Sequence, residues 1–471
     1  MKLFSLRLTT LKSKLYAIVF ASFLARIVAF LLLPKSESSL QIDEITYASL
    51  TDWVSKGLPA DKHPYPTLYS QGRTLILPAT ILFRIGINAL DSVRLVATLY
   101  GLLALILIVK TIITLEKRAS FKYSSKLKYQ IAVLVFVYAF LPSHFIWSIL
   151  GIRESPLEFW VVFTFYIVFV LKHFNKGKLY LYLTVLPFSI MLIFTSRSQI
   201  GWVISVSLLI YFTTRIRHNL SLILIMLTLV GTLLGYVSTT AYSVRVIQEY
   251  SIVESDNYND SKTVTKKMDT SNRCKKEGQI IYVDKARYTC KNESQVKAFD
   301  SFKNPLTVLA SQASDIPTQQ MVNQIGASSA IKTIYCPVAN DFPLSKYLCL
   351  AWRAPYSTFT FMFRPLLGLD TTSTSSLFAG IENIFWITSC VFILASLTRN
   401  RRLHFFEEIA PSLVFFVIYI VAAGAYEGNM GTAFRHKSLI LWVVLLLIAS
   451  TIVATQQRKA EQQGISGSSQ E

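Results

Sequence analysis

The chain is poor in charged residues. Asp, Glu, Lys and Arg make up 16% of its 471 residues, whereas soluble domains carry roughly 25%. Hydrophobic residues make up 52%, and apolar runs recur at about the 17–25 residues that a helix needs to cross a bilayer core. These features exclude an intrinsically disordered chain, a coiled coil, a soluble multidomain protein and a nucleic-acid-binding module. They predict an all-α polytopic membrane protein.

The sequence also lacks the common motifs of nucleotide and metal chemistry. It has no Walker A sequence, no G-x-G-x-x-G after a strand, no H-E-x-x-H and no G-x-S-x-G, and its six histidines have no metal-ligand spacing. We therefore expect no metal ion and no cofactor. An enzyme of this kind needs an energised substrate that is already in the membrane. A phosphorylated lipid carrier, anionic at its head and apolar in its tail, meets that need.

Ten apolar runs are long enough to be membrane spans. The first follows a basic N-terminus, is long for a signal peptide and has no small-residue cleavage site after it. The ten predicted spans are 16–33, 91–112, 129–149, 156–171, 179–195, 198–214, 219–240, 377–398, 409–424 and 437–455. A further run, 75–90, is interrupted by Pro78 and Arg84, so we expect it to form a helix in the outer interface.

Lys and Arg set the orientation of the spans, because cytoplasmic connections are enriched in both residues. One alternate set of connections is basic, and the other has few basic residues. The basic set contains Lys110, Lys117, Arg118, Lys122, Lys126, Lys128, Lys172, Lys176, Lys178, Arg215, Arg217, Arg399, Arg401, Arg402, Arg458 and Lys459. With this set inside, both termini are cytoplasmic, and the formal net charge of +20 reflects topology. We expect a multi-pass protein of the plasma (inner) membrane.

Composition divides the chain into four parts. They are an N-terminal transmembrane module (1–240), an extracytoplasmic loop domain rich in Ser, Thr, Asn, Asp and Lys (241–376), the C-terminal transmembrane helices (377–455) and a polar cytoplasmic tail (456–471). The loop domain is long enough to contain a small folded unit on the outer face.

Four of the five cysteines lie in this predicted loop domain. They are Cys274, Cys290, Cys336 and Cys349. An exported loop permits disulfides, and of the three connectivities we favour the sequence-local pairs 274–290 and 336–349. Free thiols and a zinc site are the alternatives. The spacings are not C-x-x-C-like and the loop has no histidine, which argues against zinc.

Charged and hydrogen-bonding residues gather at the predicted outer membrane surface. Such residues are costly at membrane depth and often mark a functional site. On the predicted topology the set contains Asp43, Glu44, Arg153, Glu154, Arg197, Arg364, Asn429, Arg435 and His436. We therefore expect a site that faces outward.

The acidic pair Asp43-Glu44 directly follows the first span. Adjacent carboxylates point in different directions, so one can act while the other orients it. A carboxylate at the edge of a low-dielectric region suits a general base for an alcohol acceptor. The alternative is an ordinary hydrated start of a loop.

Arginines at an outer boundary run against the positive-inside bias, so they need another explanation. Phosphate binding is one, because the guanidinium fork matches phosphate oxygens. Arg153 and Arg197 fit this role, and Arg435 with His436 follows a glycine-containing turn that suits an anion. The alternatives are pairing of Arg153 with Glu154, snorkelling to the interface and ordinary turn chemistry.

The motifs around the first spans resemble those of a known enzyme class. An acidic pair in the setting Asp43-Glu44-Ile45-Thr46-Tyr47 follows the first span, and a proline-led amphipathic helix, a glycine and Arg94-Leu95 lead into the next one. In these features the chain resembles the GT-C class of membrane glycosyltransferases, near the dolichyl-phosphate-mannose protein mannosyltransferases (glycosyltransferase family 39-like) and the bacterial RgtA/B/C/D-like groups. The likeness covers about the first 250 residues and, loosely, the last span pair.

The resemblance implies a GT-C-like bundle of about ten transmembrane helices and an enzyme that transfers a sugar. In that class the acidic residue after the first span is the presumed base. It deprotonates an acceptor, which attacks the anomeric carbon of a polyprenyl-phosphate sugar with inversion. This role falls on Asp43, with Glu44 as its neighbour or substitute, and the helix 75–90 would wall the site. The resemblance also implies basic residues that hold the lipid phosphate. On the predicted topology we assign this role to Arg153, Arg197, Arg435 and His436, with Glu154, Arg364 and Asn429 as further candidates.

Other functions are compatible with the sequence. A polysaccharide polymerase or ligase of the O-antigen type would use lipid-pyrophosphate glycans and depend on the arginines more than on Asp43. A lipid-linked glycan transporter would need charged residues along a path through both leaflets, and the predicted spans are nearly free of them. A non-catalytic membrane scaffold is the remaining alternative. The sugar, the linkage and the acceptor, which is a glycan, a lipid or a protein, stay open.

Overall fold

A computed structural model describes residues 10–33, 42–60, 63, 66–119, 123–171, 179–214, 219–246, 251–254, 280–283, 286–291, 343–367, 374–400, 406–426 and 430–462. Within these residues the chain is predominantly α-helical, as predicted, with one small antiparallel sheet. The helices are α1 (Leu11–Leu32), α2 (Ile42–Ser55), α3 (Pro66–Arg84), α4 (Ala89–Arg118), α5 (Ser125–Phe140), α6 (Pro142–Ile149), α7 (Glu154–Leu171), α8 (Leu179–Ser196), α9 (Ser198–Thr213), α10 (Asn219–Val246), α11 (Pro343–Phe363), α12 (Thr374–Asn400), α13 (Phe406–Tyr426) and α14 (Met430–Gln462). The strands are β1 (Ser251–Glu254), β2 (Ile280–Val283) and β3 (Ala286–Lys291), with β3 between the other two.

Seven helices in the described part of the chain are long and apolar enough to cross a membrane. They are α1, α4, α7, α10, α12, α13 and α14. α5 and α6 form an eighth if this pair, which is bent by 47°, is one broken span, whereas α8 and α9 are apolar but shorter. The chain is therefore a multi-pass membrane protein. The predicted span 129–149 falls on the bent pair α5 and α6, and each of the others falls on a single apolar helix. The predicted number of ten is not reached by these length and composition criteria.

The run that was expected in the outer interface is helical but begins earlier. It belongs to α3, which ends at Arg84. The chain then turns at Gly86, whose φ of 99° favours glycine. α3 is not among the candidate spans, and it packs against α2, α4 and α8. α2 and α3 thus form a pair of helices that covers one end of the bundle.

Capping residues determine where several helices begin. Thr10, Asn88 and Ser124 accept hydrogen bonds from backbone N–H groups in the first turns of α1, α4 and α5, which satisfies donors that a helix leaves without an internal partner. Pro142 begins α6, and the preceding Leu141 makes no such side-chain bond. The N–H groups at the start of α6 therefore need partners from elsewhere in the fold.

Glycine allows the closest helix contacts. A Cβ added at Gly231 of α10 would lie 2.8 Å from the backbone of Pro187 in α8, and one added at Gly235 would lie 2.5 Å from Phe194. Small residues at helix interfaces let backbones approach closely within a membrane. α8, α9 and α10 accordingly pack as one group.

α11 lies within the segment 241–376 that was expected to form an outer loop domain. It packs along α13, and its residues Phe361 and Met362 belong to the main hydrophobic core. The last part of this segment is therefore integrated into the helical bundle. The three strands lie earlier in the same segment.

The disulfide prediction falls largely outside the described residues. Cys274 and Cys336 are not among them, and only the backbone is described at Cys290 in β3 and Cys349 in α11. The pairs 274–290 and 336–349 stay predictions.

Candidate functional site

Polar contacts between distant helices concentrate at one end of the bundle, which we call the site end. It consists of α2, α3, the end of α8 and the starts of α4, α7, α9 and α14. The joining contacts are Asp43–Arg435, Glu44–Arg94, Gln71–Arg153 and Thr74–Ser196. Residues that are far apart in sequence are thereby brought together.

Asp43, the expected general base, forms an ion pair with Arg435 at the site end. Arg435 Nη1 lies 2.9 Å from Asp43 Oδ2, and the side chains of Arg435 and Asp43 are 23% and 44% exposed. The guanidinium also lies over the ring of Trp147, with its Cζ 5.2 Å from the ring centroid, an arrangement that stabilises a cation. The carboxylate is thus held on one side and remains accessible to solvent.

A polar cavity of about 310 Å³ opens at the site end. It is lined by Gln71, Arg153, Phe194, Thr195, Ser196, Arg197, Ser198 and Gln199. Two of the arginines that were predicted to bind phosphate therefore share one cavity, together with amide and hydroxyl groups. Arg153 Nη1 donates a hydrogen bond to Gln71 Oε1, which connects α3 to the start of α7.

Glu154 lies at the centre of the positive charge around this cavity. It is the first residue of α7 and is buried. The groups that interact with it electrostatically are Arg153, Arg435, Arg197 and His436. Arg197 Nη1 and His436 Nε2 also contact each other at hydrogen-bond distance. The arginines Arg153, Arg197 and Arg435 outnumber the carboxylates of Glu154 and Asp43, and the resulting excess of positive charge suits an anionic ligand.

Tyr47 interacts electrostatically both with the arginines of the cavity and with Asp43. It is 1% exposed, and burial raises the pKa of its hydroxyl to about 12. Asp43, Arg153 and Arg197 all act on it electrostatically. Its ring packs against Gly72 of α3, where an added Cβ would lie 2.5 Å from Tyr47 Cε1. The predicted base and the cavity arginines thus surround one buried side chain that stays protonated at neutral pH.

Glu44, the expected neighbour or substitute of Asp43, points into the core. Arg94 Nε lies 2.6 Å from its Oε1 and Arg94 Nη2 lies 3.2 Å from its Oε2. The backbone N–H of Gly151 also donates to Oε1, at 3.0 Å. Both ionised side chains are 1% exposed. This geometry favours a structural role for Glu44, because its ion pair with Arg94 joins α2 to α4.

The remaining predicted residues lie elsewhere or are not described. Arg364 follows α11, and its backbone carbonyl accepts a hydrogen bond from Lys437 Nζ at 2.8 Å. It is not one of the residues that line the cavity. Asn429 lies outside the described residues.

A second polar layer, which was not predicted from the sequence, surrounds the short helix α6. Ser143 donates from its backbone N to Glu382 Oε2 at 2.7 Å and from its Oγ to Glu382 Oε1 at 2.6 Å. His144 Nδ1 lies 2.9 Å from Glu158 Oε1. These four residues are all buried. The polar side chains of α6 therefore contact carboxylates from two other helices.

The expectation that the spans are nearly free of charge is wrong. Arg26 lies within α1, Glu158 within α7 and Glu382 within α12, and each is buried. Arg26 Nε donates to Ser148 of α6 at 2.8 Å, so this cation also contacts the short helix. The available signal was simply a charged residue inside an apolar run, which is costly and therefore informative.

Among the residues that the structure describes, no group of three or more His, Cys, Asp or Glu side chains is arranged to hold a metal ion. Comparison of the chain with protein-family models, with curated proteins and with solved structures gives no match.

Proposed function

We propose that the protein is a membrane glycosyltransferase that moves one sugar from a polyprenyl-phosphate donor to an acceptor outside the cytoplasm. The observation that carries this proposal is the combination at the site end of an accessible carboxylate with an arginine-lined cavity. Asp43 is 44% exposed and held by Arg435, while Arg153 and Arg197 line one polar cavity. A base and an anion site are the two elements that such a transfer requires.

The cavity suits a sugar phosphate. Two guanidinium groups match the oxygens of a phosphate, and the amides of Gln71 and Gln199 with neighbouring hydroxyls are suitable partners for sugar hydroxyls. Its volume of about 310 Å³ is near the lower limit of roughly 300–1,000 Å³ for small-molecule sites. This size favours one sugar with one phosphate over the lipid-pyrophosphate oligosaccharide that a polymerase would bind.

In the proposed reaction Asp43 accepts the proton of the acceptor hydroxyl. The acceptor oxygen forms a bond to the anomeric carbon, and the bond from that carbon to the phosphate oxygen breaks with its electron pair on the phosphate. Attack from the face opposite the leaving group inverts the anomeric centre. Arg153 and Arg197 stabilise the charge on the departing lipid phosphate, and Arg435 keeps the Asp43 carboxylate in place.

The distribution of charge supports an outward-facing site. The opposite end of the bundle has the exposed cations Lys12, Lys110, Lys117, Arg118 and Lys126, and cytoplasmic connections are enriched in such residues. In the proposed orientation this basic end faces the cytoplasm of a plasma (inner) membrane. The cavity and Asp43 then face outward, where a lipid-linked donor and a surface acceptor can meet.

The test is turnover of a polyprenyl-phosphate sugar by purified protein in nanodiscs. We expect wild type to transfer the sugar or hydrolyse the donor, and Asp43→Asn to lose about 100-fold or more of this activity, the contribution typical of a general base. Asp52→Asn is a matched control. Asp52 lies on the same helix, is 38% exposed and also pairs with a cation, Lys56, at 2.7 Å, so its loss is expected to leave activity unchanged.

Two outcomes would contradict the proposal. Equal activity of Asp43→Asn and wild type would remove Asp43 as the base. A wild type that is inactive with monophosphate donors but extends lipid-pyrophosphate glycans would instead identify a polymerase.

A further inference from the structure

Glu382 forms the N-terminal cap of α6, although it lies 239 residues away in sequence. Both of its carboxylate oxygens accept from Ser143, one from the backbone N and one from Oγ, at 2.7 and 2.6 Å. A carboxylate at a helix N-terminus satisfies free N–H groups and interacts favourably with the helix dipole. α6 has no cap of its own at Leu141. The start of α6 therefore depends on a residue of α12.

The same carboxylate interacts electrostatically with a buried lysine of α14. This residue, Lys437, is completely buried. Its Nζ donates to Asn383 Oδ1 at 2.7 Å and to the carbonyl of Arg364 at 2.8 Å. Glu382 thus contacts α6 directly and interacts electrostatically with α14.

α6 and α14 are the two helices that hold Arg435 in the site. Trp147 of α6 lies under the guanidinium of Arg435, and Arg435 of α14 holds Asp43 at 2.9 Å. Trp147 is one turn beyond Ser143, and Lys437 is two residues beyond Arg435. A change in the position of either helix would move the guanidinium and, with it, the carboxylate of Asp43.

We propose that Glu382 is a positioning residue of the site, because it caps α6 and so fixes Trp147 under Arg435 and, through Arg435, the carboxylate of Asp43. This inference rests on the proposed function only for its effect on turnover. Its structural part, the dependence of α6 on Glu382, is measurable without any substrate.

A double variant separates positioning from simple stability. Glu382→Leu alone leaves Lys437 as a buried cation without its counter-charge, which is strongly destabilising. Glu382→Leu with Lys437→Met removes both charges, and such apolar replacements of buried pairs are often neutral in stability. The double variant is therefore expected to regain most of the thermal stability of wild type while α6 still lacks its cap.

The expected result is a split between stability and catalysis. In the double variant kcat falls about 10- to 100-fold, the cost of a site displaced by about an ångström. The KM of the donor changes less, because Arg153 is held from α3 by Gln71. Hydrogen exchange of the α6 amides, residues 143–149, becomes faster.

Ser143→Ala keeps the backbone bond to Glu382 and is expected to show a smaller change in kcat and in hydrogen exchange. It serves as the second variant if the double variant does not fold. Glu408→Gln is the control and leaves both unchanged, because Glu408 interacts electrostatically with Arg118 at the opposite end of the bundle.

Recovery of both stability and kcat in the double variant, with wild-type exchange in α6, would overturn the inference. If wild type proves inactive with every polyprenyl-phosphate sugar, the proposed function fails and exchange decides alone. Faster exchange in both α6 and residues 43–47 would then support positioning, and unchanged exchange in these segments would reject it.

Discussion

Asp43 and Glu44 are neighbours in sequence but occupy opposite surroundings. Successive residues of a helix point about 100° apart, and at the start of α2 this rotation places Asp43 toward the site and Glu44 toward the core. Asp43 is 44% exposed and Glu44 is 1% exposed. The pair therefore divides into a residue that is available for chemistry and one that secures the helix on which it lies.

At the residue scale we predict that Glu44→Gln destabilises the protein strongly. Arg94 would become a buried cation without its counter-charge, and breaking a buried ion pair in this way costs about 3–5 kcal/mol. The measurement is thermal unfolding in detergent micelles. Glu44→Gln combined with Arg94→Met should recover part of the loss, and Asp52→Asn, which affects an exposed pair, should change the melting temperature little. Normal stability of Glu44→Gln would show that Glu44 is not the support described above.

The end of the bundle at which the site residues lie could be predicted from the sequence better than the contacts that each of them makes. Asp43, Arg153, Arg197 and Arg435 could be assigned to one end of the bundle, because alternate connections of a polytopic protein share a side of the membrane. The ion pair of Glu44 was not predictable, because its partner lies 50 residues away and no local pattern relates the two. Their catalytic and binding roles stay predictions.

At the scale of single elements, Phe194 links helix packing to the shape of the cavity. Phe194 lies against Gly201 of α9 and Gly235 of α10. A Cβ added at Gly201 would lie 2.5 Å from its ring, and one added at Gly235 would lie 2.5 Å from its Cβ and 2.7 Å from its ring. Phe194 also lines the cavity beside Arg197. Close packing against these two glycines thus fixes the position of Phe194 in the wall of the cavity.

We therefore predict that Gly235→Ala raises the KM of the donor. The new methyl group would displace the ring of Phe194 toward the cavity, at a stability cost of about 1–3 kcal/mol for overpacking. Gly231→Ala, one turn earlier on α10, meets the backbone of Pro187, which is not part of the cavity wall. It should lower stability without raising KM, and steady-state kinetics with unfolding measurements on both variants check the difference. Equal effects on KM would contradict the role of Phe194.

The elements themselves were largely predictable, because apolar runs of membrane length specify helices with few alternatives. The break at Leu141 within the span predicted at 129–149 was not predicted, although Pro142 is a recognised helix start. The packing of α11 on α13 was also missed. α11 contains Lys346, Arg353 and Pro355, so its sequence has no uninterrupted apolar run of the length that predicts a span.

At the scale of the whole molecule, the two ends of the bundle differ in charge. The site end combines buried ion pairs with the arginine-lined cavity, whereas the opposite end has exposed lysines on α1, α4 and α5. At that end Lys14 lies 5.8 Å above the ring of Tyr129 and Lys128 lies 3.9 Å from Glu116. This asymmetry is the physical basis of the proposed orientation.

The orientation predicts which positions react with an impermeant maleimide in intact cells. In a variant whose five cysteines are replaced by serine, Lys56→Cys at the site end should be labelled from outside. Lys117→Cys at the basic end should be labelled only after permeabilisation. Both lysines are exposed, so accessibility within the protein does not distinguish them. The reverse pattern would place the site in the cytoplasm.

The contacts of the site end also have a consequence for the order in which the protein is made. Asp43 and Ser143 enter the membrane early in synthesis, but their partners Arg435 and Glu382 follow 392 and 239 residues later. In a nascent chain that has inserted α1 to α10, α6 therefore still lacks its cap Glu382, and the carboxylate of Asp43 still lacks Arg435. The contacts of the site end are therefore complete only once α12 and α14 have been inserted.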